Sequence, residues 1–133
     1  MNPTVQIISS RSPFDIPIEH NCTVIGQFDG VKGLKIAESQ KPAIILLDYE
    51  IEQENTDIYI KTLLIESPET KVILLGKKLS DQIVLSCLIS GSFGYLDWND
   101  AEAFLDKAIQ FVELGEAWVS RRLVGLLLEK IRD

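Results

Sequence analysis

The stretch KPAIILLDYE, residues 41 to 50, contains the apolar run that decides the fold class. Residues 43 to 47 are all apolar, do not alternate with polar residues, and are followed directly by Asp48. A strand whose two faces are both covered has this composition, and such strands form parallel sheets between layers of helices. The stretch therefore predicts a central strand with an aspartate at its carboxyl end.

Four further segments extend the predicted sheet on either side of this strand along the chain. Similar apolar runs occupy residues 5 to 8 and 72 to 75, and weaker ones occupy residues 22 to 28 and 93 to 96. Between the runs, apolar residues recur at helical spacing, most clearly in AEAFLDKAIQFV at 101 to 112. This alternation predicts an α/β fold with a doubly wound, five-stranded parallel sheet.

Polar residues that can cap a helix precede several of the helical segments. Their side-chain oxygens can accept a hydrogen bond from a backbone N–H group in the first turn. The predicted caps are Asp29, Ser80 or Asp81, and Asn99 or Asp100.

Two segments depart from the regular alternation of strands and helices: the connection between the first two predicted strands, and the C-terminal tail. Residues 10 to 21 contain Pro13 and Pro17, which predict a shortened first helix or a loop. The tail GEAWVSRRLVGLLLEKIRD, residues 115 to 133, predicts an additional amphipathic helix that Ser120 can cap. Its apolar residues at helical spacing are Val119, Leu123, Val124, Leu127, Leu128 and Ile131.

Length and charge restrict the classes of function. The chain has 133 residues, the size of one domain, and its 13 basic against 20 acidic residues give a net charge of −7. This charge argues against direct DNA binding by this segment. Cys22 and Cys87 fit no metal-ligand spacing, which predicts reduced thiols. With no basic leader and no run of about 18 apolar residues, we expect a cytoplasmic protein without membrane contact.

Ligand sites in open α/β sheets lie beyond the carboxyl ends of the strands. The residues that follow the predicted strands are Ser9 and Ser10, Asp48, Gly76, and Asp97 with Trp98. No glycine-rich phosphate loop and no activated Ser, Cys or His pattern is present, so the sequence predicts no enzyme.

The order of elements resembles the receiver domain of bacterial response regulators, in the NarL/FixJ or LuxR-type branch. The resemblance is carried by KPAIILLDYE, VILLG, LISGSFGYLDW and AIQFVELGEAWVSRRL, and covers nearly the whole chain. Its most specific pieces are the G-x-x-G-Y pattern of Gly91, Gly94 and Tyr95 and the tail at 115 to 118.

This resemblance implies the CheY-like, flavodoxin-like fold and a role in two-component signal transduction and transcription regulation. Residues 1–116 would form the receiver-like domain, and residues 117–133 a linker or dimerisation helix. In this family such a helix leads to a helix-turn-helix DNA-binding domain of the full-length protein. An apolar terminal helix also predicts a homodimer, unless the helix docks on its own domain.

The resemblance places Asp48 at the phosphoacceptor position, but the residues around it depart from the family pattern. The family has an acidic pair, which binds a divalent cation, where this chain has Ser9 and Ser10. A Ser or Thr is replaced by Gly76 and a Lys by Trp98, so a phosphoryl group would lose a hydroxyl and a cation. We therefore expect an atypical receiver with a degenerate pocket that needs no metal, cofactor or phosphorylation.

Three further expectations follow from the resemblance. Tyr95 matches the aromatic residue that changes rotamer in phosphorylated receivers. Trp118, Ser120 and Arg121 lie in a WVSR segment that is similar to a cyclic di-GMP-binding motif of some members, so binding of this nucleotide is one alternative. The other is phosphorylation of Asp48 with an unconventional metal site.

Overall fold

The computed structural model describes residues 3–11, 16, 18 and 22–133. Within them, five parallel strands form one sheet in the order β2-β1-β3-β4-β5. This order confirms the predicted doubly wound α/β fold. The strands are β1 Thr4–Ile8, β2 Thr23–Phe28, β3 Ile44–Asp48, β4 Lys71–Gly76 and β5 Gly94–Asp97.

Helices connect the strands and continue after the last one. Asp29, Ser80 and Ser120 cap α1, α4 and α6 by accepting backbone hydrogen bonds, as predicted. The described helices are α1 Gly30–Gln40, α2 Tyr49–Glu52, a 3-10 turn Gln53–Asn55, α3 Thr56–Glu66, α4 Asp81–Ile89, α5 Trp98–Glu113 and α6 Arg121–Arg132.

Helix α5 begins earlier than predicted. The expected caps Asn99 and Asp100 lie inside the helix, because Asp97 Oδ1 accepts a 2.8 Å hydrogen bond from the Asn99 backbone N–H. The chain therefore passes from β5 into α5 without a loop. As a consequence, Trp98 is the first helical residue and is only 9% exposed.

The core lies on both faces of the sheet, as the apolar run in β3 predicts. Ile44 and Leu46 pack on the α5 side, while Ile45 and Leu47 pack on the side of α1 and α3. All five β3 residues, including Asp48, are buried. Each fully buried Ile or Leu side chain contributes about 1.5 to 3 kcal/mol through the hydrophobic effect.

The connection between β1 and β2 is only partly described. The predicted shortening of the first helix falls on residues 10 to 21, most of which lie outside the described residues; Ile16 and Ile18, which are described, pack against the α5-side core. Across the described part of the chain, no helix combines the length and apolar character needed to cross a bilayer.

The tail lies against the domain before α6 begins. Trp118 forms a parallel bridge with Gly94: the Tyr95 N–H donates to the Trp118 carbonyl at 3.0 Å, and the Trp118 N–H donates to the Phe93 carbonyl at 3.2 Å. A Cβ on Gly94 would lie 3.1 Å from the Trp118 Cβ, so glycine allows this close approach.

Helix α6 then packs on α4 through Leu123, which is 5% exposed and joins Val84 and Leu85 in a small core. Arg122 also donates a 2.5 Å hydrogen bond to the Asp81 carboxylate of α4, though both side chains are exposed. The outer side of α6 stays uncovered in the single chain. Its exposed apolar residues are Val124, Leu128 and Ile131.

Candidate functional site

Asp48 ends β3 at the carboxyl edge of the sheet and caps α2. Its Oδ1 accepts a hydrogen bond from the Glu50 backbone N–H at 3.0 Å. Its Oδ2 accepts one from the Ser9 hydroxyl at 2.9 Å. The residue is 1% exposed, so both carboxylate oxygens have donors from the chain itself in a nearly closed environment.

Ser9 and Ser10, predicted as one pair, occupy different environments. Ser9 is 5% exposed, donates its hydroxyl hydrogen to Asp48, and accepts the Arg11 backbone N–H at 3.1 Å. Ser10 is exposed. Only Ser9 of this pair therefore hydrogen-bonds Asp48, which links the ends of β1 and β3.

The Trp98 indole interacts with a cation that the sequence analysis did not identify. The Arg11 guanidinium lies 3.7 Å from the centroid of the Trp98 ring, a favourable cation–π arrangement. Trp98 itself belongs to the α5-side core with Leu96 and Leu105. The available signal was an arginine three residues after the end of β1, at the sheet edge where Trp98 was also expected, but spacing alone does not pair them.

Gly76 ends β4, and a leucine side chain occupies the space beside it. A Cβ at this position would lie 2.4 Å from Leu79 Cδ1 and 2.6 Å from Leu79 Cγ. A Ser or Thr at position 76 would therefore displace Leu79, which packs against two of the hydrophobic cores.

Tyr95 and Asp97 form a second polar group at the end of β5. Asp97 Oδ2 accepts the Lys78 backbone N–H at 2.7 Å and the Tyr95 hydroxyl at 3.4 Å. Burial raises the pKa of Asp97, but the hydrogen bonds from Asn99 and Lys78 outweigh it, so the pKa lies below its ordinary value. Burial and the neighbouring Asp97 carboxylate raise the pKa of Tyr95 to about 12.

Curated transcriptional regulatory proteins share part of their sequence with this chain. No model of a known protein family matches the chain. The transcriptional regulatory protein LiaR of Bacillus subtilis is 27% identical over 110 residues, covering 82% of this chain and 52% of LiaR. DegU of Brevibacillus brevis is 27% identical over 105 residues, covering 78% of this chain and 44% of DegU. The chain thus spans about half the length of these curated relatives.

Solved structures agree in fold over nearly the whole chain. A LuxR-family two-component response regulator from Aurantimonas sp. SI85-9A1 has a TM-score of 0.81 at 13% identity, covering 100% of both chains. The isolated REC domain of RcsB from Salmonella enterica serovar Typhimurium in the apo form has a TM-score of 0.80 at 20% identity, covering 96% and 99% of the two chains. This chain has the receiver fold of LuxR-type response regulators.

Another solved structure contains RcsB together with DNA. It is described as two RcsB dimers bound to two parallel DNAs, has a TM-score of 0.78 at 17% identity, and covers 96% of this chain and 68% of that chain. These solved structures confirm the expected receiver fold.

The resemblance implies a divalent cation beside the phosphoacceptor of a receiver domain, and the residues present do not fit one. A hard cation such as Mg²⁺ needs several oxygen ligands, with carboxylates among them. Here the Asp48 carboxylate already accepts two hydrogen bonds, and the neighbouring Ser9 brings no charge. Within residues 3–11, 16, 18 and 22–133, no three His, Cys, Asp or Glu side chains are placed to hold a metal ion.

The tail residues of this receiver domain have contacts within the chain. The Trp118 ring packs against Phe104 at 6.3 Å between centroids and against Phe111 at 5.4 Å in an edge-to-face arrangement. The Ser120 hydroxyl accepts the Leu123 backbone N–H at 3.2 Å and so caps α6. Arg121 is the exposed first residue of α6. Two of the three residues predicted to contact a nucleotide thus have structural roles.

Proposed function

We propose that this chain is an atypical receiver domain of a LuxR-type transcription regulator that acts without phosphorylation of Asp48. Regulation would pass through dimerisation or contact with another protein in the cytoplasm. The observation that carries the proposal is the pairing of both Asp48 oxygens, one with the Ser9 hydroxyl and one with the Glu50 backbone N–H.

Access to Asp48 is restricted for a phosphodonor. Asp48 is 1% exposed, and its two oxygens accept hydrogen bonds from the Ser9 hydroxyl and the Glu50 backbone N–H. Each oxygen keeps a second lone pair, but the charge that develops on a phosphoryl group also needs cations nearby. The Arg11 guanidinium at this edge is stacked on Trp98.

Intact-mass spectrometry after incubation with acetyl phosphate and Mg²⁺ tests the proposal. We expect no gain of a phosphoryl group in a protein shown to be folded by circular dichroism. The triple variant Ser9→Asp, Ser10→Asp, Trp98→Lys restores the acidic pair and the lysine of the family pattern, but not the hydroxyl at position 76, and is the positive control if it folds. Asp48→Asn is the negative control. A gain in the wild type that Asp48→Asn abolishes would favour the alternative, phosphorylation of Asp48 with an unconventional metal site.

Residues 117–133 serve, in this proposal, as a linker or dimerisation helix before a DNA-binding domain of the full-length regulator. Support comes from the exposed apolar residues on the outer side of α6, Val124, Leu128 and Ile131. Sedimentation velocity should give a dimer that Leu128→Glu weakens, while Lys130→Gln, an exposed control that also lowers the net charge by one unit, leaves it intact. A wild type that is monomeric at high concentration would contradict this part.

Binding of cyclic di-GMP at Trp118, Ser120 and Arg121 stays a prediction. It is less favoured than the proposed function because the Ser120 hydroxyl, the group expected to hold a phosphate, caps α6. Isothermal titration that shows saturable heat with this nucleotide would revive it.

A further inference from the structure

A groove of about 590 Å³ lies between α5 and the segment that leads into α6. Four aromatic residues line it: Tyr95, Phe104, Phe111 and Trp118. Its volume is within the range of small-molecule sites, which are apolar with a few polar groups at the rim. The groove does not include Asp48, but residues of the segment 117–133, which the proposed function makes a linker or dimerisation helix, form part of its lining.

The aromatic walls of the groove meet at different angles. The Trp118 ring is tilted by 39° from Phe104 and stands at 84° to Phe111, so the three rings form a corner and not a stack. Phe104 is 43% exposed, which leaves part of its surface open to a ligand. Aromatic faces carry negative electrostatic potential and attract cations.

The charged residues that line the groove give it a negative balance. Asp97 and Asp100 both line it, and hydrogen bonds hold the pKa of Asp97 below its ordinary value, so this carboxylate is ionised at neutral pH. Arg122 is the basic residue of the lining, and its guanidinium pairs with Asp81 of α4 at 2.5 Å. The Asp97 oxygens already accept the Asn99 and Lys78 N–H groups and the Tyr95 hydroxyl, so Asp97 would attract a cation through its charge. The exposed Asp100 is the more accessible carboxylate of the lining.

We propose that this groove binds a small organic cation, an alkylated ammonium group on an apolar or hydroxylated body. The ammonium would lie between the aromatic corner of Phe104 and Trp118 and the Asp97 and Asp100 carboxylates. Both attractions act on the same charge, which a neutral molecule of the same shape lacks. An anionic ligand would be repelled by the two carboxylates.

The test uses two probes of the same shape, choline and its neutral isostere 3,3-dimethyl-1-butanol. The chain has two tryptophans, of which Trp118 lines the groove and Trp98 does not, so their indole N–H signals in a ¹⁵N spectrum provide a reporter and an internal reference. We expect choline to shift the Trp118 signal saturably and by more than the Trp98 signal, since Trp98 follows Asp97 but is buried in the core. The isostere should bind at least about tenfold more weakly.

Matched variants locate the site. Asp100→Asn removes one carboxylate, and Phe104→Leu removes an aromatic face while keeping apolar bulk. Each should weaken choline binding roughly threefold to fivefold, since each removes about 0.7 to 1 kcal/mol of attraction. Glu102→Gln removes an exposed carboxylate of the same helix that does not line the groove, and should leave binding unchanged.

Several results would overturn the proposal. These are equal binding of the two probes, no shift of Trp118 at saturating choline, or equal losses in Asp100→Asn and Glu102→Gln. Tight binding of cyclic di-GMP with a shift of Trp118 would also overturn it, because the same groove would then accept an anion.

Discussion

Asp48 and Asp97 begin with the same local structure and end in different environments. Each is the last residue of a strand, and each accepts a backbone N–H two residues ahead to cap the next helix. Asp48 is buried and its second oxygen accepts the Ser9 hydroxyl, whereas Asp97 is partly exposed and its second oxygen accepts the Lys78 N–H and the Tyr95 hydroxyl. The same motif thus lies in a closed environment at one strand end and lines the groove beside α5 at the other.

The largest effect that tests this contrast is expected from Asp48→Ala. The change removes a helix cap and leaves the buried Ser9 hydroxyl without its acceptor. We expect a loss of about 2 to 4 kcal/mol in the free energy of unfolding. Urea denaturation followed by circular dichroism measures it. Asp48→Asn keeps an oxygen for the Glu50 N–H and should cost clearly less; equal costs would show that the cap contributes little.

Leu123→Ala tests whether α6 belongs to the domain. Leu123 is 5% exposed in the contact with α4, so its truncation should cost about 2 to 3 kcal/mol in the free energy of unfolding. Hydrogen exchange of the α6 amides should speed up in the same variant. The control Glu129→Ala, at an exposed position of α6 outside its apolar face, should cost less than about 0.5 kcal/mol. Similar costs for both would mean that α6 does not dock as described.

Arg11→Ala tests the cation–π contact near Asp48 and should have a smaller effect. We expect a loss of about 0.5 to 1 kcal/mol in stability. The indole N–H signal of Trp98 should shift while that of Trp118 stays in place, because the guanidinium lies over the Trp98 ring. Arg11→Lys keeps the charge and should retain part of the effect. An unchanged Trp98 signal in Arg11→Ala would contradict the contact.

The smallest effect is expected in the pH dependence that Asp97 contributes. Its pKa in the folded protein lies below the ordinary value of 3.8, so its stabilising contribution is complete above that value. The contribution is lost as the pH falls through 3.8 toward the lower folded pKa. Asp97→Asn, which can keep the helix cap, should therefore flatten the loss of stability between pH 5 and pH 3. Urea midpoints at several pH values measure this, and identical slopes would argue against an ionised, stabilised Asp97.

Much of the fold was predictable because it follows from local pattern. The apolar runs gave all five strands to within a residue at most ends, since buried parallel strands are apolar on both faces. Three caps were also predictable from short polar side chains before helical spacing. The start of α5 was not, because Asp97, Asn99 and Asp100 are all good caps and only the direct passage from β5 selects the first.

The candidate site was predictable in position but not in contacts. Strand ends placed Ser9, Asp48, Gly76 and Trp98 at one edge of the sheet. Spacing alone does not predict that Ser9, and not Ser10, donates a hydrogen bond to Asp48. Both residues follow β1, and which of them reaches Asp48 depends on which side chain points into the protein. Arg11 was missed for the same reason, since its contact with Trp98 joins residues 87 positions apart (98 − 11).

The sequence by itself determined the fold class and the family resemblance, because these depend on residue type and spacing along one chain. Only the tertiary structure decided which groups satisfy Asp48, where α6 docks, and that aromatic rings from α5 and the tail meet two carboxylates in one groove. These contacts join distant segments, and their geometry is fixed by packing of the whole core.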